Sequence, residues 1–361
     1  MSRDGVQATT SGMKSAGFYD AHSEYQRRVV EAGAAAIERA VGGLDLEAID
    51  GALTIVDYGA GTGANSVRAM RTAIEAIRSR SSEVPIAAIH NDLPTSDFGA
   101  LRLAADEDGY DRIAGGPIYS MAAAGSFFDQ VVADASVRIA MCSNAAHWYR
   151  EQPRVGECEG MYFSDARGEQ RKRLAAQAAA DWTRFLAARS RELAAGGRLL
   201  VQGIGVDDDG RVSAARLLEQ MWKVAVELSD RGLLDRGVLA GYVFPVYCRS
   251  AAEAGAPVER GAALADRFEV VSIDSLEVAN PYWELLTDSG DREAYASAYT
   301  AFVRAFSEST LEGGLFAPGA VDVEATALCD EFFAAFERAT VADPDAGRYE
   351  AYVVTVILAR R

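Results

Sequence analysis

The chain is poor in the residues that hold metals and disulfides. Its 361 residues include four cysteines and three histidines. Cys142, Cys158, Cys248 and Cys329 form no CxxC knuckle, and His22, His90 and His147 stand at no metal-ligand spacing. A disulfide framework and a metal site are therefore not expected, and thiols this sparse fit a reducing cytoplasm. Positive charge is scarce as well: 36 Lys and Arg against 53 Asp and Glu leave a net charge of −17. A surface this acidic repels phosphate backbones and anionic headgroups, so binding to nucleic acid or a membrane surface by bulk charge is excluded. Any anionic substrate must be held by local donors. Long apolar runs are missing too. The longest, Tyr352 to Ala359, falls short of the roughly 18 residues that cross a bilayer, and no signal-peptide core opens the chain.

What is present is an alternation of two periods. Residues 1–12 read as a loose polar tail. A helix is expected from about Ser23 to Val41, with Val30, Gly33, Ile37 and Val41 on one stripe and Gly42-Gly43 as its stop. Buried strands are expected at 53–59, 85–92, 137–143 and 198–205. Between them lie helices marked by Val67, Met70, Ile74 and Ile77, and by the stretch 170–195. Such alternation predicts an α/β fold with a doubly wound, mostly parallel sheet. Beyond Asp207 the pattern changes. Ser213 is expected to cap a helix carrying Leu217, Leu218, Met221, Trp222, Ala225 and Leu228, and two late strands are expected at 268–274 and 352–359. The expected organisation is a ligand-binding α/β unit over 13–205 and a largely helical cap over 206–345, interrupted by the strand at 268–274. Residues 346–361 return to the sheet as its final strand.

The segment DYGAGTGANS (57–66) leaves a strand and enters a helix. Gly59, Gly61 and Gly63 allow a sharp turn and close approach of a ligand to helix N-terminal amides. Asp92 closes the next strand 35 residues after Asp57, where nucleotide-binding α/β units grip a ribose diol. An acid at the mouth of the loop opposes a pyrophosphate and welcomes an ammonium group. S-adenosylmethionine offers an ammonium, a ribose and no phosphate, so the loop chemistry favours it over a nicotinamide dinucleotide.

Four blocks in order, DYGAGTGANS, NDLPTSDF (91–98), GSFF (125–128) and SNAAHW (143–148), together resemble the SABATH carboxyl methyltransferases, the salicylate, benzoate and jasmonate methyltransferase family. MKSAGFYDAHSEYQ (13–26) and FPVY (244–247) with Glu253 support the match. The resemblance implies a class I methyltransferase fold with a helical cap, S-adenosyl-L-methionine as cofactor and a small, largely apolar carboxylic acid as acceptor. It also implies a homodimer. By the same resemblance Tyr19 and Ser23 would close over the donor, while Asp57, Gly59, Gly61 and Asn65 would hold its amino-acid end. Asp92 and Leu93 would hold the ribose and adenine edge, and Ser126 and Phe127 would flank the adenine. Gln26 and Trp148 would grip the acceptor carboxylate, with His147 in the same pocket. Lys14, Asn144, Leu218 and Trp222 would complete the acceptor site. Plant members carry an aromatic residue at the position of Asn144, so the pocket wall differs here.

The chemistry suits these residue types. A carboxylate is already ionised at pH 7, so its methylation needs no general base. It needs neutral donors that hold the oxygens without blunting them, which an amide and an indole N–H supply. Alone, Gln26 would read as a helix-surface residue and Trp148 as packing; the surrounding blocks give them a role. Two other readings are open from sequence: N-methylation of a small heterocycle, and a donor-binding module without catalysis.

Overall fold

The computed structural model describes residues 18–47, 49, 51–107, 109–151 and 153–361. Eight strands form the sheet: β1 (Leu53–Tyr58), β2 (Ile86–Asp92), β3 (Ile118–Ala124), β4 (Val137–Ser143), β5 (Leu193–Val206), β6 (Arg249–Ser250), β7 (Phe268–Val278) and β8 (Ala351–Arg360). Their order is β3-β2-β1-β4-β5-β8-β7, with the short β6 beside the end of β5. Strands β1 to β5 run parallel, and β8 inserts antiparallel between β5 and β7. The order reverses between β1 and β4, which opens a crevice at their carboxyl ends, where α/β sheets bind ligands.

Central strands were legible because both of their faces are buried. Leu53, Ile55 and Val56 of β1 and Ile139, Ala140 and Met141 of β4 are enclosed, so they read as unbroken apolar runs. The edge strand β3 was not anticipated. Its Tyr119 and Met121 are exposed, so its sequence carries no core signal. β5 begins at Leu193, earlier than expected, because Leu193 already pairs with Val137 before a register shift.

Two other expectations are corrected. The helix read over 23–41 is two helices, Glu24–Ala32 and Ala34–Gly42. Gln202, reaching up from β5, separates them. Its Nε2 donates to Val29 O at 2.8 Å, and a Cβ on Gly33 would stand 2.0 Å from its Oε1. Ser213 does not cap the next helix, Ala215–Asp230, whose N-cap is Ala214 at φ 61°. Its hydroxyl instead reaches the carbonyls of Gly205 and Tyr352 and accepts the Tyr352 amide.

Three cores result. On one sheet face, Val30, Ile37, Val67, Met70 and Ile74 pack over β1 and β2. On the other, Trp182, Phe185 and Leu186 of helix Gly168–Glu192 pack on Tyr58, Val201 and Val356. Above the sheet, helices Ala215–Asp230, Arg292–Leu311 and Ala325–Ala342 join Tyr25, Trp148 and Phe244 in an aromatic roof.

The last turn of helix Gly168–Glu192 holds a completely buried ion pair, Arg189 with Glu192. The guanidinium also donates to Phe127 O at 2.6 Å and Asp129 O at 2.8 Å, and lies 3.8 Å from the Tyr58 ring centroid. Glu192 accepts Tyr58 Oη at 2.8 Å, Val132 N at 3.1 Å and the Val131 amide. Removing one buried partner strands the other's charge, at a cost of about 3–5 kcal/mol. Arg189→Met should lose that much in urea unfolding. Arg189→Met/Glu192→Leu should lose less than the two single changes summed, because no charge is then left unpaired. An additive double variant would show that the pair contributes no coupling.

Candidate active site

At the end of β1 the chain turns through Gly59, Gly61 and Gly63, with φ of 86°, 59° and 111°. These are left-handed conformations that side-chain-bearing residues resist. Space excludes a side chain as well: a Cβ on Gly59 would lie 2.3 Å from the Ala145 Cβ, and one on Gly63 2.7 Å from the Leu101 Cα. The amides of Gly59 and Ala60 donate to Asn91 O, each at 2.9 Å. Gly61 N donates to Asp92 Oδ2 at 2.6 Å and Leu93 N to Asp92 Oδ1 at 2.7 Å, with the Ser96 hydroxyl on the same carboxylate. Asp92 therefore sits against the glycine loop and shapes it.

Asp57 lies behind that loop, buried. Burial pushes its carboxyl up to about 6, against a hydrogen bond from Ser66 that pulls it down, while the negative charge of Asp92 adds to the rise. Its Oδ1 has no partner within the protein. A buried carboxylate oxygen without a partner, with an anion for company, suits the ammonium of an amino-acid end. Asn65, in the first turn of helix Ala64–Arg78, donates to Ser23 Oγ at 3.3 Å, so the N-terminal segment is latched to the loop. Phe127 stands on the far side of Gly59, 3.6 Å from where its Cβ would be. Ser126 turns the chain there by accepting Phe128 N at 3.3 Å. The structure thus brings Ser23, Asp57, Gly59, Gly61, Asn65, Asp92, Leu93, Ser126 and Phe127 to one end of the sheet. Tyr19 belongs to the short helix Phe18–Ala21. Lys14 lies outside the described residues.

Ala145 touches the glycine loop, and its neighbours open a second space. Gln26, Asn144, His147 and Trp148 line one pocket. The rest of the wall is apolar: Tyr25 and Val29 beneath, Leu218, Phe244 and Val246 to the side, and Phe302, Phe306 and Tyr349 from the roof. None of these lining residues carries a charge. Gln26 Oε1 and His147 Nδ1 are buried without protein partners. Asn144 adopts φ 54°, a left-handed conformation that Asn tolerates and aromatic residues rarely adopt. Burial pushes the His147 imidazole down to about 3, with the Arg249 cation assisting, so it is neutral at every physiological pH.

Leu218 lines this pocket, and Trp222 does not. Trp222 lines a separate surface hollow with Glu157, Glu159 and Asp230. Four residues along a helix move a side chain about 6 Å and 40°, enough to carry it past the rim. Tyr25, Val29, Phe302, Phe306 and Tyr349 were not anticipated from sequence. The Phe302 and Phe306 pair, four apart on helix Arg292–Leu311, carried a periodic signal; Tyr349 carried none.

The strand order, the antiparallel β8 and the glycine crevice beside β1 define a class I S-adenosylmethionine-dependent methyltransferase fold. Residues 7–361 match a family model described as SAM dependent carboxyl methyltransferase, and the chain belongs to that family. Its methyl donor is S-adenosyl-L-methionine. Gibberellic acid methyltransferase 2 of Arabidopsis thaliana is 26% identical over 281 residues, 70% of each chain. Caffeine synthase 1 of Camellia taliensis is 26% identical over 310 residues, covering 80% of this chain and 81% of its own. A solved loganic acid methyltransferase with SAH superposes with TM-score 0.77 at 22% identity, over 97% of this chain and 98% of that one.

Gly59→Ala meets both the φ of 86° and the Ala145 contact at 2.3 Å. It should lose about 2–5 kcal/mol of stability, summing left-handed strain and overpacking. Adding Ala145→Gly should recover part of that loss and no more, since the backbone strain remains. Full recovery in thermal or urea unfolding would show that only the contact mattered.

Proposed function

We propose that this protein transfers methyl from S-adenosyl-L-methionine to the carboxylate of a small, largely apolar acid, releasing the methyl ester. The carrying observation is the pocket beside the glycine loop, with uncharged walls and Gln26, Asn144, His147 and Trp148 as its polar residues. Asp57 takes the donor's ammonium, Asp92 its ribose, and Phe127 flanks its adenine, with Ser23 and Asn65 closing the near side. Gln26 and Trp148 donate to the acceptor carboxylate, and Asn144, His147 and Leu218 shape the space around it. Methyl leaves the sulfonium in line with the incoming carboxylate oxygen. Orientation of the two reactants is worth roughly 7–11 kcal/mol in well-aligned pairs.

A relative in Camellia sinensis is named a 3,7-dimethylxanthine N-methyltransferase, so the alternative acceptor is a heterocyclic nitrogen. Such a nitrogen must lose a proton. The pocket lacks a carboxylate among its lining residues, and an imidazole held near 3 is a weak base at neutral pH. Both facts favour the acid. The four cysteines are free and buried, and no described helix is long and apolar enough to cross a membrane; we place the enzyme in the cytoplasm. A homodimer is proposed from the family resemblance.

Incubating the protein with labelled donor and a panel of carboxylic acids and xanthines, then identifying the product, tests the reading. Methyl esters are the result expected. Labelled N-methyl products alone would overturn it. On the best acid, Gln26→Ala and Trp148→Phe should each lower kcat/KM roughly 10- to 150-fold, as losses of about 1.5–3 kcal/mol imply. Donor affinity should stay unchanged, and the double variant should lose less than the sum, because both residues hold one group. Near wild-type efficiency in both single variants would make them packing residues.

A further inference from the structure

A line of polar groups runs from the underside of the sheet to the donor crevice, and the chemistry above does not use it. His90 is fully buried in β2, paired across the sheet with Asp57. Its Nδ1 contacts Ser66 Oγ at 2.8 Å and its Nε2 contacts Tyr110 Oη at 3.0 Å. Ser66, in the first turn of helix Ala64–Arg78, is the group that favours the ionised form of the Asp57 carboxyl. The sequence is therefore Tyr110, His90, Ser66, Asp57.

Counting protons fixes its polarity. A neutral imidazole has one N–H, each hydroxyl has one O–H, and an ionised carboxylate only accepts. If Ser66 gives its proton to Asp57, it has none left for His90. His90 must then donate from Nδ1 to Ser66, which leaves Nε2 to accept the Tyr110 hydroxyl. Every contact is satisfied, and all three dipoles point at Asp57. The reverse polarity, with His90 protonated on Nε2, suits only an Asp57 that is itself protonated. His90 is neutral, since burial lowers it to about 4. The charge facing Asp57 is Asp92, at the end of β2, of the same sign. Cys142 from β4 and Tyr110 from the turn Tyr110–Arg112 face it as neutral groups, while Arg71 acts on Tyr110.

We propose that Ser66, His90 and Tyr110 are positioning residues that hold Asp57 ionised against the donor's ammonium, with His90 locked as the Nδ1–H tautomer. This rests on the assignment of Asp57 to the donor's amino-acid end. Because Asp57 titrates near 6, donor binding expels a proton below that pH and costs nothing above it. Affinity for S-adenosylhomocysteine should rise with pH up to about 6–7 and then level off.

With three histidines in the chain, ¹⁵N-histidine labelling resolves the tautomer directly, the His90 signals being those absent in His90→Asn. At pH 7.5 without ligand, Nδ1 should carry the proton; a proton on Nε2 overturns the relay whatever the donor does. Calorimetry at pH 7 then compares S-adenosylhomocysteine with 5′-methylthioadenosine, which lacks the amino-acid end. Ser66→Ala should weaken the former about tenfold, as expected for a charge-assisted hydrogen bond, and leave the latter unchanged. Equal weakening of both would mean a packing role and would overturn the proposal. Failure of either ligand to bind wild type would overturn the donor assignment instead, with the tautomer still deciding the relay.

Discussion

The buried pair Arg189–Glu192 is the constraint on which the donor side of the molecule rests. Tyr58, which separates Asp57 from Gly59, lies under the guanidinium and donates to Glu192. Phe127 and Asp129 give their carbonyls to Arg189, and Val131 and Val132 give their amides to Glu192. One helix end thus ties together two loops that sequence separates by about 70 residues. Taking two charges out of water is costly, and the return comes from the backbone groups they satisfy. Neither charge reaches the crevice. They keep the glycine loop and the Ser126–Phe127 turn at a fixed separation, a separation on which a ligand held between them depends.

The two halves of the site divide the electrostatics. Beside the glycine loop, Asp57 and Asp92 set two carboxyl groups near each other, an arrangement suited to a cationic ligand. On the acceptor side the lining residues are uncharged. A cationic clamp would bind an acid more tightly and lower the nucleophilicity of its oxygens, so neutral donors suit the reaction better. The protein's net charge of −17 opposes the approach of any anionic acid, which places the whole burden of holding it on that pocket.

What could be read from sequence follows physical lines. Strands buried on both faces announced themselves, and the glycine loop did so through spacing. The edge strand β3 did not, because its exposed Tyr119 and Met121 remove the apolar pattern. The break at Gly33 depends on Gln202 arriving from β5, a contact that no local window contains. Of the residues lining the pocket, Gln26, His147 and Trp148 were expected from motif blocks. Tyr25, Phe302, Phe306 and Tyr349 were not, since aromatic residues on roof helices look the same whether they face a pocket or a core. Leu218 and Trp222 were both expected at the acceptor site, and the helix turns only Leu218 onto the pocket.

The central claim, that an already ionised carboxylate is methylated without a protein base, is tested most directly by the pH dependence of turnover. Two accepted acids whose pKa values differ by about one unit would be compared from pH 4 to 9 at saturating donor. The acidic limb should move with the substrate, by about the difference between the two pKa values. A limb that stays at one pH for both acids would belong to a group on the protein, and would contradict the mechanism.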